Sequence, residues 1–344
     1  MSYQRGWDAL NLRMPDRIPH TEYCSHDPYI RKVTGIDPKD PERGHLAVPE
    51  FVRITDYDLI WNNFDLPGNR RLTHMGTAHW YENQETPDNR SCPFANEEEV
   101  LSFDPVAAFP VPPVAEVAAL YEKQYQEGQR TFPEAVFPGG FYNTIFSWCI
   151  LTFGWERFLT AAALDRERFD RVLEGFYQLS LVAFEASART TMKAFICHDD
   201  IVWTSGPVFS PDWYRRYVFP RYRKLWRPLK EAGKILLFCS DGDFTMFVDD
   251  LVECGADGFI FEPLTSLEYI AGKYGQSKVI VGNVDCRILT FGTPADIEAE
   301  VRRCADIGRS LPGYFFAVGN HIPYNIPIEN VQLYFDLIRR CGRR

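Results

Sequence analysis

The chain predicts an α/β protein of the (β/α)8 barrel class (a TIM barrel) with a large insertion after the second strand. Three observations carry that prediction. From about residue 234 onward, short apolar runs alternate with helical stretches at regular spacing, which implies a parallel sheet. Most of the apolar runs end in an ionisable or amide side chain, and in a barrel such strand ends converge on one mouth. The 344 residues suffice for a single barrel domain that carries an insertion.

The first strand is expected over residues 17–23, where period-two alternation puts His20 and Glu22 on one face. The second is expected over 57–62, with Trp61 near its end. Residues 63–133 exceed a simple connection. They hold His74, His79, Trp80 and Tyr81, a polar turn, an acidic helix start at 96–99, prolines at 105, 110, 112 and 113, and a helix to about 129. An insertion of that length is expected to act as a lid or binding loop. Trp61, His79, Trp80, Phe141 and Tyr142 could build an aromatic wall for a ligand, or pack in the core. The third strand, 135–137, ends in Gly139-Gly140, where the backbone can approach another group closely. Helical patterns follow over 155–164 and 166–193.

The fourth strand, 194–197, runs directly into His198-Asp199-Asp200, and a helix over 212–232 follows the turn residues Gly206-Pro207 and Ser210-Pro211. The remaining strands are expected at 234–238, 258–261, 279–282 and 314–318. Their ends carry Cys239 and Asp241, then Glu262, then Asn283 and Asp285, then Asn320 and His321. Helices are expected over 267–274, 294–307 and 328–340, with Gly255 as a C-cap before the sixth strand.

Composition narrows the function. The chain is 45% hydrophobic and 15% aromatic, as expected of a large globular core, and no apolar run approaches the roughly 20 residues that span a bilayer. The first twenty residues lack the apolar centre of a signal peptide, and nine cysteines are scattered without a CxxC pair. Reduced thiols and a cytoplasmic location are the expectation. A net charge of −10 argues against nucleic acid as a partner. Neither GxGxxG nor a P-loop is present, so no nucleotide site is supported. A small-molecule substrate remains, and a homodimer is a possible assembly.

The strand-end residues have distinguishable roles. His198, flanked by two carboxylates, is the candidate general acid/base. Asp199 and Asp200 cannot both face inward on an extended strand, so one acts and the other supports. Asp241 is a carboxylate base, a metal ligand or a turn residue. Glu262 follows four apolar residues, where an unpaired carboxylate is costly and a function is expected. Asp285 and Arg287 are expected to pair, His321 to contact a metal or the substrate, and Glu22, Gly140, Tyr142, Asn283 and Asn320 to line the substrate site. Cys239 reads as a packed thiol rather than a nucleophile, since no activating base adjoins it.

Several words carry a resemblance. They are Leu236-Leu237-Phe238-Cys239-Ser240-Asp241-Gly242-Asp243, Gly255-Ala256-Asp257-Gly258, Gly282-Asn283-Val284-Asp285 and Gly319-Asn320-His321-Ile322-Pro323, with Phe219-Pro220-Arg221-Tyr222 and Asp16-Arg17-Ile18-Pro19. Together they resemble the uroporphyrinogen decarboxylase-like superfamily, whose fold is a (β/α)8 barrel and which includes the decarboxylase and corrinoid- or thiol-linked methyltransferases. The decarboxylase's arginine-rich N-terminal loop has no counterpart at Tyr23-Cys24-Ser25-His26-Asp27-Pro28. The methyltransferases' zinc-binding His-x-Cys is replaced by Cys239 and Asp241, and the later cysteine by Asn320-His321. The resemblance thus implies a metal set of Cys239, Asp241, Glu262 and His321, suited to zinc or a harder divalent ion. The expected activity is methyl transfer between a small methylated compound and a corrinoid protein or thiol. The alternatives are a lyase or decarboxylase acting on a small carboxylated or polyhydroxylated substrate, and a non-catalytic ligand-binding protein.

Overall fold

The computed structural model describes residues 2–68, 72 and 92–344. Six parallel strands stand side by side in sequence order: β1 (Gly139–Tyr142), β2 (Ala194–His198), β3 (Ile235–Cys239), β4 (Gly258–Ile260), β5 (Val279–Val281) and β6 (Tyr314–Phe315). Their register forms one continuous row, Tyr142, His198, Cys239, Ile260, Val281 and Phe315. Consecutive parallel strands need crossover connections, and helices supply them. Arg166–Ala188 leads into β2, Phe219–Glu231 into β3, Val248–Cys254 into β4, Leu267–Tyr274 into β5 and Pro294–Gly308 into β6.

The ring is completed by two extended segments of the N-terminal part. Thr21 N donates to Phe316 O (3.0 Å) and Phe316 N to Pro19 O (2.9 Å). Asp58 N then donates to His20 O (3.0 Å), and Ile60 N to Val136 O (2.9 Å). Parallel bridges His20–Phe316, Leu59–Val136 and Phe64–Phe141 follow the same path. The expected first and second strands are therefore present as isolated bridges rather than as regular ladders. The third strand differs in position: Gly139 and Gly140 lie inside β1 rather than at its end. Pro138 has no N–H to give a ladder, which separates the Val136 bridge from β1.

Side-chain alternation sorts the interior into two layers. Leu59, Val136, Ala194, Ile196, Leu237, Cys239, Ile260, Val279, Val281, Phe315 and Ala317 fill the barrel, and Ala9 and Leu10 of the helix Ser2–Leu10 pack against them. That helix is fastened by Arg5 Nη1 to the buried Asp58 Oδ1 at 2.7 Å. Phe195, Cys197, Leu236, Phe238, Phe259 and Ile280 point the other way, into the apolar layer beneath the helices.

The segment 63–133 is partly described. Its helix Val114–Thr131 buries Val117, Ala118, Tyr121 and Tyr125 and packs against Arg166–Ala188 as a crossover helix. The short helix Glu97–Leu101 packs against Ile145–Leu164. His79 and Trp80 lie outside the described residues. Two helices depart from expectation. The one expected from 155 begins at Ile145 and bends at Gly154, and the one expected over 212–232 is split at Val218, just before Phe219-Pro220. Among the described residues no helix is long and apolar enough to cross a membrane.

Gly140 sits where the second extended segment meets β1. A Cβ there would lie 2.3 Å from Asn62 O and 2.7 Å from Asn63 Oδ1. Backbone packing thus accounts for this glycine, which the sequence offered as a substrate contact. Gly140→Ala is expected to lower stability by about 1–3 kcal/mol through overpacking, read as a lower urea midpoint with an unchanged slope.

Candidate active site at the barrel mouth

The mouth is built from the last residues of the strands and the turns that follow them. Along β2 the residues Ala194 and Ile196 face the barrel, so His198 and, two residues on, Asp200 continue that face, while Asp199 turns outward. Asp199 is fully buried and accepts from Phe146 N (3.0 Å), Ser147 N (2.6 Å) and the Tyr222 hydroxyl. It anchors the N-terminus of the helix Ile145–Leu164, whose first amides lack partners within the helix. Asp199 is therefore the supporting member of the pair and Asp200 the one at the mouth.

Asp200 Oδ1 receives His198 Nε2 at 3.1 Å and the Asp241 amide at 2.8 Å, and its own amide donates to Ser147 Oγ at 2.8 Å. His198 is 8% exposed, its ring stands edge-on to Tyr142 with centroids 4.1 Å apart, and its Nδ1 has no partner among the described residues. Asp241 Oδ2 accepts from Asn320 Nδ2 at 3.2 Å, and Asn320 Oδ1 meets His321 Nδ1 at 2.8 Å. A continuous polar path thus crosses the mouth from the end of β2 to the loop after β6. Glu262, just beyond β4, accepts the Gly242 amide at 2.9 Å, which ties it to the turn that carries Asp241.

Three carboxyl groups in this space cannot all carry charge cheaply. Burial works to raise Asp200, but the charge and hydrogen bond of His198 outweigh it and hold its carboxyl below the usual carboxylate range. Asp241 is partly open to solvent yet closely ringed by protein. Burial, followed by the charges of Asp200 and Glu262, pushes it well up. Glu262 is raised in the same way, by burial first and then by Asp200. The mouth therefore pairs one ionised carboxylate with His198 and keeps two carboxyls inclined to hold a proton.

Donor atoms of His198, Asp200 and Asp241 all lie within 4.8 Å of one another, a spacing that could hold a metal ion. This differs from the expected metal set: Asp241 is grouped with His198 and Asp200, not with Cys239, Glu262 and His321. Cys239 lies at the top of the apolar barrel filling, and burial, followed by the charge of Asp241, pushes its thiol well above the ordinary range. A neutral buried thiol is a poor nucleophile and gives up its proton reluctantly to a metal.

Other expected site residues are spoken for elsewhere. Asn283 is buried, donating to Thr265 O (3.0 Å) and accepting from Arg303 (3.0 Å). Asp285 caps the helix Cys286–Phe291 and is gripped by Arg287 through contacts of 2.7 and 3.0 Å. Trp61 packs against the barrel filling. Glu22 accepts from Val318 N at 3.1 Å and from the Tyr334 hydroxyl, so it fastens the closing helix Ile328–Cys341 to the barrel. His20, on the same face, packs edge-on against Tyr57 and Phe335, and burial pushes it down to about 3. Ser147 and Tyr222, which position Asp200 and Asp199, escaped the sequence reading because no spacing links them to the 198–200 stretch.

Burial raises Glu22 from an ordinary value near 4.5 to about 8. Its neutral form is thus favoured in the folded state, so its stabilising contribution is full below about pH 4.5 and is lost as pH rises through about 8. Glu22→Gln, which stays neutral, should flatten that part of the stability–pH curve. An unchanged slope in urea unfolding between these limits would remove Glu22 as its source.

Residues 51–341 match the family described as uroporphyrinogen decarboxylase (URO-D). The uroporphyrinogen decarboxylase of Syntrophotalea carbinolica is 30% identical over 174 residues, 51% of this chain and 49% of that protein. A Thermus thermophilus protein of the same name is 26% identical over 190 residues, 54% of each chain. The chain spans about half the length of the relatives it matches. Among solved structures, a methyltransferase from Methanosarcina mazei superposes with a TM-score of 0.66 over 98% of both chains at 15% identity, a likeness of fold. With the family match covering most of its length, and with a parallel barrel whose strand ends gather at one mouth, the chain belongs to the uroporphyrinogen decarboxylase family.

Proposed function

We propose that this protein is a barrel enzyme that transfers a methyl group from a small methylated compound to a corrinoid carried by a partner protein, or to a thiol. The observation that carries this reading is the convergence of His198, Asp200 and Asp241 beside Glu262 at the mouth. Moving a methyl group from a heteroatom X to a nucleophile breaks the CH3–X bond, and X leaves with the bonding pair. Protonation of X as the bond breaks lowers that barrier, and general acids of this kind contribute about 10²–10⁴-fold. His198, or a protonated Asp241 or Glu262, is suited to deliver that proton, and Asp200 holds the imidazole in place. The fold shared with the M. mazei methyltransferase is in keeping with this activity.

One imidazole and two carboxylates form a hard donor set, and the unpartnered Nδ1 of His198 leaves room for a divalent ion of the zinc, manganese or iron kind. Such an ion would supply Lewis-acid polarisation of X. A thiolate-rich zinc site does not fit, given the buried neutral Cys239.

A second reading is a lyase that releases CO2 from a small carboxylated substrate. The raised Asp241 and Glu262 favour it, since a neutral carboxyl can protonate the carbon left behind. Charge weighs against it: His198 is paired with Asp200 and Arg287 with Asp285, while a substrate carboxylate would meet Asp200 directly.

Anaerobic incubation with free cob(I)alamin and methanol, guaiacol or trimethylamine in turn tests the first reading by the loss of the cob(I)alamin spectrum. Turnover with at least one donor is expected, and His198→Asn or Asp241→Asn should reduce it by about 10²–10⁴-fold. No methylation from any donor, together with CO2 release from carboxylated aromatics, would transfer the assignment to the lyase. Metal analysis of the same preparations should show a divalent ion retained by the wild type and lost from Asp241→Asn.

A further inference from the structure

At the end of the barrel opposite the mouth lies a cavity of about 600 Å³. Its walls include residues 56–57 and 133–135, which lead into the second extended segment and toward β1, so it sits at the N-terminal ends of the strands. That volume is within the range of pockets that take small organic ligands. The position separates it from the proposed reaction at the mouth.

Its charges are unevenly matched. Arg53 is held by Glu50 through contacts of 2.6 and 2.9 Å and is also within reach of Glu134. Asp56 is taken up by Ser2, Arg5 and Arg17. Arg43 and Arg130 also line the cavity; neither guanidinium has an ion pair or hydrogen bond among the described residues, and Arg43 lies within Coulombic reach of Asp40. Leu46, Val52 and Phe132 give the remaining wall an apolar character.

We propose that this cavity binds a small amphipathic anion, a planar apolar body carrying a phosphate or carboxylate. Arg43 and Arg130 take the anionic head, and Leu46 and Phe132 cover the apolar body. Arginine suits both head groups because its fork matches their paired oxygens. The cavity is lined from the ends of the helices Asp27–Thr34 and Val114–Thr131 and from the helix Ala47–Thr55. A bound ligand ties these elements together and stabilises the folded state by mass action.

Calorimetric titration of the full chain with phenyl phosphate, benzoate and inorganic phosphate tests the proposal. Saturable one-to-one binding of phenyl phosphate or benzoate is expected, with the tighter of the two identifying the head group, and much weaker binding of inorganic phosphate. The double variant Arg43→Ala/Arg130→Ala should bind at least about tenfold more weakly, while its unfolding temperature without ligand stays unchanged, both side chains being exposed. Leu46→Asp, at an exposed position, should also abolish binding and covers the case in which the double variant folds poorly. Asp241→Asn should bind as the wild type does. The proposal is overturned if neither organic anion binds, if inorganic phosphate binds as tightly, if the double variant and Leu46→Asp retain full affinity, or if Asp241→Asn removes binding and so places the ligand at the mouth.

Discussion

The two-residue period of β2 decides how the mouth is built. Because Ala194 and Ile196 fill the barrel, His198 and Asp200 continue inward and Asp199 must point out. The outward carboxylate then finds the free amides of Phe146 and Ser147 and the hydroxyl of Tyr222, which anchors the helix Ile145–Leu164. Ser147 in turn accepts the Asp200 amide. Three adjacent residues thus couple the inner face of the barrel to the surrounding helices. A one-residue shift of this strand would exchange the roles of all three.

The electrostatics follow from that geometry. Against its burial, the charge and hydrogen bond of His198 hold Asp200 below the usual carboxylate range, and Asp200 in turn helps to raise Asp241 and Glu262. The proton inventory of the mouth therefore belongs to the group as a whole. Asn320 extends it by joining Asp241 to His321 across the barrel. Elements far apart in the chain, β2, β3, β4 and the loop after β6, act on one set of protons.

Much of the fold was legible in the residues. The strand and helix rhythm after residue 234, the Gly255 cap and the helix Leu267–Tyr274 all follow from period and punctuation. The beginning of the helix Ile145–Leu164 did not, because residues from Ile145 to Phe153 are buried all round and leave no amphipathic stripe to read. The two N-terminal extended segments were expected as strands. They form isolated bridges because only a few of their amides meet carbonyls of neighbouring strands. Among the site residues that the strand ends suggest, His198, Asp200 and Asp241 come together at the mouth, with donor atoms within 4.8 Å of one another. Glu22, Gly140 and Asn283 stand out in the sequence for their expected place at strand ends; the structure uses them to fasten the closing helix, to admit a close backbone approach inside β1 and to receive Arg303.

By itself the sequence determined the class of fold, the order of its strands and which stretch carries the titratable groups, since those depend on local period and on which residues tolerate burial. Tertiary structure decided which carboxylate faces the barrel and which caps a helix. It also decided that Asp241 joins His198 and Asp200 while Cys239 stays in the apolar filling, and that Asn320 reaches back across the mouth. These are relations between side chains on different strands, set by register and by the closing of the ring, and no spacing along one strand encodes them.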